Sequence, residues 1–269
     1  LIGTQDMLLS RAMNRGYAAP RARWPMEFGL LNQDSLWILD EVQLMDTGLA
    51  TATQLQTFRE EDRSKNRIVK PCFTWWMSAT LQKSWLEKSP DTKDMVSDLK
   101  LTAIAEAQRK GKLWEDVQKT CSLVSFKTEN EIANHIVEEH IIGNCGANGP
   151  TLVVLNSVKR AVKIFDLLSK NKDLKKKKTD MRLAHSRFRP LERKYWRNDF
   201  LNREESSLQI NRIIVATKVI EAGVDMSASL LFTDLAPWTS LVQRFGRSAR
   251  WGGTAKVVVI DIQVKDDKI

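Results

Sequence analysis

The residues best suited to chemistry lie where short apolar runs end. Ser35–Leu39 is such a run, and it ends in two adjacent carboxylates, Asp40 and Glu41. This pattern is typical of a buried parallel strand that ends in acidic residues at the carboxyl edge of its sheet, where α/β folds bind ligands. An Asp there can hold a magnesium ion, and the Glu beside it can orient a water towards a phosphate. Because adjacent acids are also common in surface turns, the pair alone does not decide between the two interpretations.

Two further polar segments follow apolar runs in the same way. Ser78-Ala79-Thr80 comes directly after Cys72–Met77, and Thr217–Asp225 comes directly after Ile213–Ala216. The carboxyl ends of parallel strands meet at one edge of a sheet, so these segments are expected beside a ligand.

The fourth and most specific segment is Gln243–Arg250. Arg247 and Arg250 lie three residues apart after Gly246, and residues at this spacing are neighbours on a helix. The pattern predicts two guanidinium groups on one helical face, pointing across a cleft at a transferring phosphate. A basic surface helix would not explain the Gln and Gly at these spacings.

The elements that position these segments follow from the apolar runs. From about residue 121 the chain alternates strands and helices, which predicts βαβ units and a parallel sheet. The predicted strands are Cys121–Phe126, Thr151–Leu155, Met181–Ala184, Ile213–Ala216, Leu230–Phe232 and Ala255–Ile260. The predicted helices between them are Asn130–Ile142, Val158–Ser169, Leu191–Asn202 and Thr239–Phe245.

The first 120 residues are less regular. The sequence predicts a helix through residues 6–13, an irregular stretch at 20–35, the acidic strand, a helix at about 47–58 and a second strand at 72–77. Residues 82–120 are expected to be mostly polar and helical. We therefore predict an α/β protein with two domains, residues 1–120 and 121–269.

The composition limits the class of protein. Apolar residues make up 42% and charged residues 28% of the 269 residues, which is ordinary for a globular protein. No run approaches the roughly 18–20 apolar residues that a membrane helix needs, and no signal peptide is visible. The net charge of +9 hints at a polyanionic partner. The chain begins with Leu1 and not with Met, so we interpret it as a fragment. Whether a targeting segment precedes it is left open.

Cysteine and histidine argue against a structural metal centre. Cys72, Cys121 and Cys145 form no CxxC pair, which favours a reducing, cytoplasmic setting in which each is a small core residue. His135 and His140 lack an HExxH order and a third ligand, so we interpret them as residues of a surface helix.

The four polar segments resemble motifs II, III, V and VI of superfamily 2 helicases. Over nearly the whole chain the sequence also resembles the CRISPR-associated type I helicase-nuclease, particularly its subtype I-U form. The segments that carry this closer resemblance are Gly3–Ala12, Asn14–Tyr17, Trp24-Pro25, Phe28–Leu31, Leu39–Met45, Leu152–Ser157 and His185–Phe188. The resemblance implies two RecA-like (P-loop NTPase) domains, the first truncated at its N-terminus, with ATP bound between them and single-stranded DNA lying across both.

The resemblance also implies catalytic roles. Asp40 is expected to hold Mg²⁺ through water, and Glu41 to activate the attacking water. Arg247 and Arg250 are expected to act as arginine fingers, and Gln243 to contact the phosphates or the water. The remaining expected residues are Ser78 and Thr80, which couple hydrolysis to domain movement, and Gly223, Asp225 and Gly246, which form the nucleotide-binding loops.

A second group is expected to contact the DNA backbone. Thr4, Ser157 and Thr217 would grip its phosphates through hydroxyl and N–H groups without reading sequence. Arg160 and Arg187 would add charge to that track, although simple solvated arginines are an alternative interpretation of both.

One motif of the family is absent from the sequence. No G-x-x-x-x-G-K-[ST] occurs, since Gly111-Lys112 is followed by Leu113, so the phosphate cradle and its lysine are missing. We therefore expect that this segment alone hydrolyses no ATP. No His-Asp doublet occurs either, which places the family's metal-dependent HD nuclease domain outside this segment.

The functional prediction is the ATP-dependent single-stranded DNA translocase segment of a CRISPR interference helicase-nuclease in antiviral defence. Its implied partners are single-stranded DNA and an RNA-guided surveillance complex, with no membrane partner and a cytoplasmic location. Two alternatives stay open: another superfamily 2 RNA or DNA helicase, or a non-catalytic helicase fragment that binds nucleic acid without turnover.

Overall fold

The computed structural model describes residues 2–143, 149–207 and 209–262. The chain divides into two compact units, residues 1–103 and 104–269. The division therefore falls before the predicted boundary at residue 120, which lies inside the first strand of the second unit. That strand starts at Val117 and pairs along its whole length with the last strand of the unit, which explains why these residues join the second unit.

The first unit packs helices on a parallel two-stranded sheet. Its main core cluster includes Leu9, Trp37, Leu39, Leu49 and Cys72, all buried. The strands run in register from Ser35 opposite Cys72 to Leu39 opposite Trp76. The elements in chain order are α1 (Gln5–Ala12), α2 (Trp24–Asn32), β1 (Ser35–Leu39), α3 (Thr47–Ser64), β2 (Cys72–Trp76) and α4 (Lys93–Ser97).

One face of this small sheet is apolar and exposed. Leu36 and Ile38 on β1 lie opposite Phe73 and Trp75 on β2, and all four side chains are at least 44% exposed. Trp75 is 58% exposed, because the described helices of this unit pack on the opposite face of the sheet.

The second unit is a six-stranded parallel sheet with helices on both faces. The strand order is β3-β8-β7-β4-β6-β5. Its strands are β3 (Val117–Phe126), β4 (Thr151–Val154), β5 (Asp180–Ala184), β6 (Arg212–Ala216), β7 (Leu230–Asp234) and β8 (Gly253–Ile262). Its helices are α5 (Lys112–Glu115), α6 (Glu129–Ile142), α7 (Val158–Lys170), α8 (Lys172–Lys176), α9 (Pro190–Asp199), α10 (Arg203–Ser207) and α11 (Trp238–Phe245).

Both faces of the central strands are buried, as in other parallel sheets. On one face Val153, Val215 and Phe232 pack with helices α6 and α7. On the other face Ile214 and Leu231 pack with the helix α9 region and the loop that follows β6. Because successive strand residues point to opposite faces, a nearly continuous apolar run such as Arg212–Ala216 supplies both cores.

The sequence predicted all six strands of this sheet and the four helices α6, α7, α9 and α11. It was wrong in two stretches. Residues 20–35 contain helix α2, whose Pro25 lies in the first turn, where a missing N–H is tolerated. Residues 82–116 contain only short helical segments, because most of residues 98–116 are exposed and gain little from packing, and strand β3 begins at Val117.

The other residue predictions had mixed outcomes. Cys72 is buried as expected, Cys121 is exposed, and Cys145 lies outside the described residues. His140 is a core residue and not a surface one: its ring nitrogens lie 2.8 Å from Thr151 Oγ1 and 2.8 Å from Asn211 Oδ1. Within the described ranges no helix has the length and apolar character to cross a membrane.

Candidate nucleotide and nucleic-acid site

The acidic pair follows β1 directly and points outward from its carboxyl end. Asp40 and Glu41 are both exposed. The Asp40 Oδ1 atom accepts the Glu41 N–H at 2.9 Å, and Gln43 Nε2 donates to Glu41 Oε2 at 2.5 Å. Glu41 adopts a left-handed conformation with φ of +51°, which is uncommon for a residue with a side chain and is found at functional sites. The turn therefore presents two carboxylates side by side.

The backbone joins this turn to the polar segment after β2. Met77 N–H donates to Leu39 O at 2.8 Å, and Val42 N–H donates to Met77 O at 3.1 Å. The predicted segments Asp40–Gln43 and Ser78–Thr80 thus leave one sheet edge together. Within the second segment Thr80 N–H donates to Ser78 Oγ at 3.0 Å, so the two hydroxyl groups share one compact turn.

The carboxylate oxygens at this sheet edge fit a hard cation such as Mg²⁺ whose other ligands are waters and phosphate oxygens. In the described parts of the chain no group of three or more His, Cys, Asp or Glu side chains could hold a metal ion. Asp40 instead offers one exposed carboxylate, and Mg²⁺ in nucleotide sites is commonly bound by one or two carboxylates together with waters and phosphate oxygens. The residues present therefore fit a magnesium–nucleotide complex in which Asp40 is the contribution of this unit.

In the second unit, three arginines, two of them buried, join the segments Thr217–Asp225 and Gln243–Arg250. Arg244 Nε donates to Glu221 Oε1 at 2.8 Å. Arg247 donates from Nε to Ile220 O at 2.9 Å and from Nη2 to Glu221 O at 2.6 Å. Arg250 Nε donates to Asp225 Oδ1 at 2.9 Å. Each arginine of the second segment therefore contacts the first one.

Further hydrogen bonds join the turn after α11 to Ser227 and Ala228, which lie just beyond the first segment. Ala228 N–H donates to Arg247 O at 2.8 Å, Ala249 N–H donates to Ala228 O at 3.1 Å, and Arg250 N–H donates to Ser227 Oγ at 2.9 Å. Ala249 takes a left-handed φ of +42° to close this turn. The loop after β6 and the turn after α11 are therefore joined by both side-chain and backbone hydrogen bonds.

The turn after α11 corrects one prediction about the arginines. Helix α11 ends at Phe245, so Arg247 and Arg250 lie beyond it and do not share a helical face. Arg247 is buried at 6% exposure, whereas the Arg250 side chain is 39% exposed. The predicted finger roles stay predictions, and in this conformation the two guanidinium groups contact Glu221 O and Asp225, respectively.

The predicted nucleotide-loop glycines have different local requirements. Gly223 has a φ of +68°, a left-handed conformation that glycine adopts without steric penalty. Gly246 has an ordinary helical φ of −63°. A Cβ atom on Gly246 would lie 3.3 Å from Gln243 O and 3.4 Å from Val242 O, so close packing is the constraint there. Gln243 itself is half-buried on the last turn of α11.

Lys119 supports the same turn from the edge strand β3. Its Nζ atom donates to Phe245 O at 2.8 Å, at the carboxyl end of α11. Burial lowers the pKa of Lys119, and repulsion by Arg250 lowers it further. A lysine near a helix C-terminus also interacts favourably with the helix dipole. No sequence pattern identified this residue, because β3 is distant from α11 in the chain.

The residues predicted to contact DNA differ in accessibility. Ser157 is exposed and caps helix α7, accepting the Arg160 N–H at 3.3 Å. Thr4 and Arg187 are also exposed. Thr217 is only 4% exposed, and its N–H donates to Ala184 O. Thr217 can therefore reach a strand only through a small exposed part of its side chain.

Arg160 is not a simple solvated arginine. Its Nη1 atom lies 2.6 Å from Oδ2 of Asp234, whose side chain is 3% exposed. The same oxygen accepts the Asn156 N–H at 2.8 Å. Arg160 therefore stabilises the end of β7 and the turn after β4, and its predicted contact with DNA stays untested.

Sequence reasoning missed several residues of this network. The unpredicted ones are Lys119, Asn156, Glu221, Thr233, Asp234 and Arg244. The rule that selected Asp40, a polar residue directly after an apolar strand, also applies to Thr233-Asp234 after Leu230–Phe232. Glu221 and Arg244 stood inside segments that had already been singled out, but their pairing required the fold.

Comparison with known proteins shows that the second unit is similar to CRISPR-associated helicases. Residues 147–252 match the family described as CRISPR-associated nuclease/helicase Cas3, C-terminal. A putative CRISPR-associated nuclease/helicase Cas3 of Methanocaldococcus jannaschii is 31% identical over 129 residues, covering 47% of this chain and 16% of that protein. The Cas3 of Haloferax volcanii is 38% identical over 89 residues, covering 30% of this chain and 9% of that protein.

Solved structures share the fold. T. fusca Cas3 with AMPPNP superimposes with a TM-score of 0.63 at 20% identity, over 98% of this chain and 33% of that one. The DUF1998 helicase MrfA bound to DNA gives a TM-score of 0.64 at 16% identity, over 97% of this chain and 33% of that one. The chain thus spans well under half the length of the relatives it matches. These comparisons confirm the predicted α/β fold with RecA-like domains and the resemblance to Cas3-like superfamily 2 helicases.

Proposed function

We propose that this chain is the motor segment of an ATP-dependent single-stranded DNA translocase that feeds a nuclease in CRISPR interference. The observation that carries the proposal is the union of the segments Thr217–Asp225 and Gln243–Arg250 at one sheet edge. Their pairing through Glu221, Arg244 and Arg247 suits a motor, because loops joined by hydrogen bonds can transmit a change at a nucleotide to a bound strand.

The acidic turn would supply the hydrolytic groups. In this proposal Glu41, fixed by Gln43 and by its left-handed backbone, orients and deprotonates the attacking water. Asp40 holds the magnesium ion through water, and the ion, when bound, neutralises charge on the phosphates. Ser78 and Thr80 leave the same sheet edge and couple the state of the nucleotide to domain movement.

Arg247, Arg250 and Gln243 would face the phosphates. Arg250 is the more accessible arginine, and contact with a γ-phosphate requires it to exchange Asp225 for the phosphate. Removal of an arginine finger typically lowers turnover by roughly 10³–10⁵-fold. Gly223, Asp225 and Gly246 would shape the loops on which these side chains lie.

The DNA track would consist of the hydroxyl and basic groups at the loop ends. We propose that four residues contact phosphates: Ser157 at the exposed N-terminus of α7, Thr217, Arg187 and Thr4. Arg160, which pairs with Asp234, would add positive charge near Ser157. One similar structure carries the description CRISPR RNA-guided surveillance complex, pre-nicking, with a TM-score of 0.53. We propose such a complex as the partner, a cytoplasmic location, and an HD nuclease outside this segment.

DNA binding by the 269-residue chain tests the proposal directly. We expect a fluorescein-labelled 30-nucleotide oligo(dT) to bind in fluorescence anisotropy, with an affinity that falls steeply as salt rises, because phosphate neutralisation releases counterions. Replacing Ser157 by Ala should weaken binding, and the matched cap variant Asn171→Ala, which removes the cap of α8 beyond the far end of α7, should not. An affinity indifferent to salt and to Ser157 would refute a backbone-tracking site.

A second candidate is another superfamily 2 DNA helicase with no CRISPR role. The observation that favours it is the DNA-bound MrfA structure, whose TM-score of 0.64 is as high as that of the Cas3 structures. Stimulation of the full-length protein by an RNA-guided surveillance complex would separate the two. A third candidate, a non-catalytic fragment that binds nucleic acid, predicts DNA binding that ATP never changes.

A further inference from the structure

Arg244 is a buried arginine whose three guanidinium nitrogens all donate hydrogen bonds. It is 3% exposed, and its guanidinium contacts two loops and the end of strand β7. Nε donates to Glu221 Oε1 at 2.8 Å, in the loop after β6. Nη1 donates to Thr233 Oγ1 at 3.0 Å, at the end of β7. Nη2 donates to Asn156 Oδ1 at 2.9 Å, in the turn after β4.

Asn156 connects this guanidinium to the start of helix α7. Its N–H donates to Asp234 Oδ2 at 2.8 Å, and its Nδ2 donates to Leu235 O at 2.8 Å. With Arg244 on its Oδ1 atom, the side-chain amide is engaged at both ends. The next residue is Ser157, whose hydroxyl caps the helix. The orientation of Ser157 therefore depends on how Asn156 is held.

Glu221 connects the guanidinium to the other loop. Its Oε1 atom accepts from Arg244, and its Oε2 atom accepts from Ser240 Oγ at 3.3 Å. The Glu221 carbonyl oxygen accepts from Arg247. Glu221 lies four residues after Thr217 in the same loop. Both oxygens of this buried carboxylate are thus committed to α11.

We propose that Arg244 is a positioning residue that fixes the loop of Ser157 to the loop of Thr217, so that two groups of the DNA track keep a set separation. The inference rests on the proposed function for the DNA track itself. No role of this kind was predicted for Arg244, which is buried and is not among the residues proposed to contact the strand.

The chemistry requires arginine and not merely a positive charge. A guanidinium presents five N–H donors in a planar fork, which allows one side chain to bond Glu221, Thr233 and Asn156 at once. The lysine ammonium of Arg244→Lys would keep the ion pair with Glu221 and lose the reach to Asn156. Loss of such a hydrogen bond corresponds to about a fivefold change in an equilibrium constant.

The test compares Arg244→Lys with Arg212→Lys in the 269-residue chain. Arg212 is a matched control, because it is also buried in this unit and pairs with Asp180 and Glu205, away from the proposed DNA track. Hydrogen-exchange mass spectrometry reports loop order, and anisotropy with labelled oligo(dT) reports affinity. Asn156→Ala serves as a second variant that removes only one arm of the contact.

The inference predicts faster exchange in both loops, residues 156–160 and 217–223, with unchanged exchange in β4, for Arg244→Lys. It also predicts oligonucleotide affinity about three- to tenfold weaker for Arg244→Lys and about fivefold weaker for Asn156→Ala. Arg212→Lys should change neither loop exchange nor affinity. These results together would support the positioning role.

Three results would count against it. Uniformly faster exchange throughout the unit would show that Arg244 stabilises the whole unit and not the two loops in particular. Unchanged loop exchange would show that Arg244 does not order either loop. Faster loop exchange with unchanged oligonucleotide affinity would show that the Arg244 contacts do not affect DNA binding, and it would overturn the inference. Failure of the unmodified chain to bind the oligonucleotide refutes the proposed function instead, while the exchange measurement still decides whether Arg244 joins the loops.

Discussion

The two predicted finger arginines should differ sharply in what their removal does to stability. Arg247 is 6% exposed and donates two charged hydrogen bonds to backbone carbonyls, at 2.9 and 2.6 Å. The Arg250 side chain is 39% exposed, and its ion-pair partner Asp225 is 56% exposed. The same motif therefore contains one internal arginine and one surface arginine.

The magnitudes follow from these environments. Hydrogen bonds to charged groups contribute about 1.5–3 kcal/mol each, so Arg247→Ala should lower the free energy of unfolding by about 3 kcal/mol or more. An exposed ion pair contributes about 0–1 kcal/mol, so Arg250→Ala should cost less than about 1 kcal/mol. For a unit of this size the corresponding losses in Tm are roughly 6–12 °C and under roughly 4 °C.

Hydrogen exchange in increasing urea measures this difference in the second unit alone, when followed on peptides from β4 and β6. Arg187→Ala is the control, because Arg187 is an exposed arginine of the same unit. Equal losses for Arg247→Ala and Arg250→Ala would refute the reasoning from burial. If the prediction is confirmed, only Arg250 variants report on phosphate chemistry without a folding contribution.

Three further predictions concern single residues. Burial lowers the pKa of His140, although a hydrogen bond to Asn211 raises it in part. The neutral imidazole is therefore favoured in the folded state, so the contribution of His140 to stability is complete above about pH 6.5 and declines as the pH falls. Urea midpoints between pH 7 and 5 should fall less for His140→Gln, and the residual slope includes His185, whose pKa burial also lowers. The purified 269-residue chain should hydrolyse no ATP, because it has no phosphate-binding loop; turnover that disappears in Glu41→Gln would contradict this. Trp75→Lys should raise the concentration at which the chain precipitates, because Trp75 is 58% exposed on an apolar face. It should change the free energy of unfolding by less than about 0.5 kcal/mol. A loss of several kcal/mol would contradict the conclusion that Trp75 lies on the surface.

Much of the fold could be predicted because its pattern is local. Each strand of the large sheet is a short apolar run, and each of the helices α6, α7, α9 and α11 follows a turn and carries an apolar face. The same runs place polar segments at strand ends, which is why Asp40 and Glu41 were found from sequence. Helix α2 was missed because Pro25 and Gly29 read as breaks, although Pro25 lies in the first turn.

The site required the tertiary structure, because its contacts join residues far apart in the chain. The sequence alone determined that Arg244, Arg247 and Arg250 occur together in a basic segment after a strand and a helix. It did not determine that Arg244 bonds Asn156, eighty-eight positions away, or that Lys119 bonds Phe245. Strand order decided these contacts, since β7, β4 and β6 are neighbours in the sheet and their loops converge on α11.

The sequence by itself therefore determined the chemistry available at each strand end, because residue type and apolar spacing are local properties. Only the tertiary structure decided which charges are buried and paired. Arg247 and Arg250 differ because the chain leaves α11 at Phe245 and turns at Ala249, which directs one guanidinium inward and the other to the surface. The difference depends on backbone direction and on the loops packed against it, and neither is encoded in spacing alone.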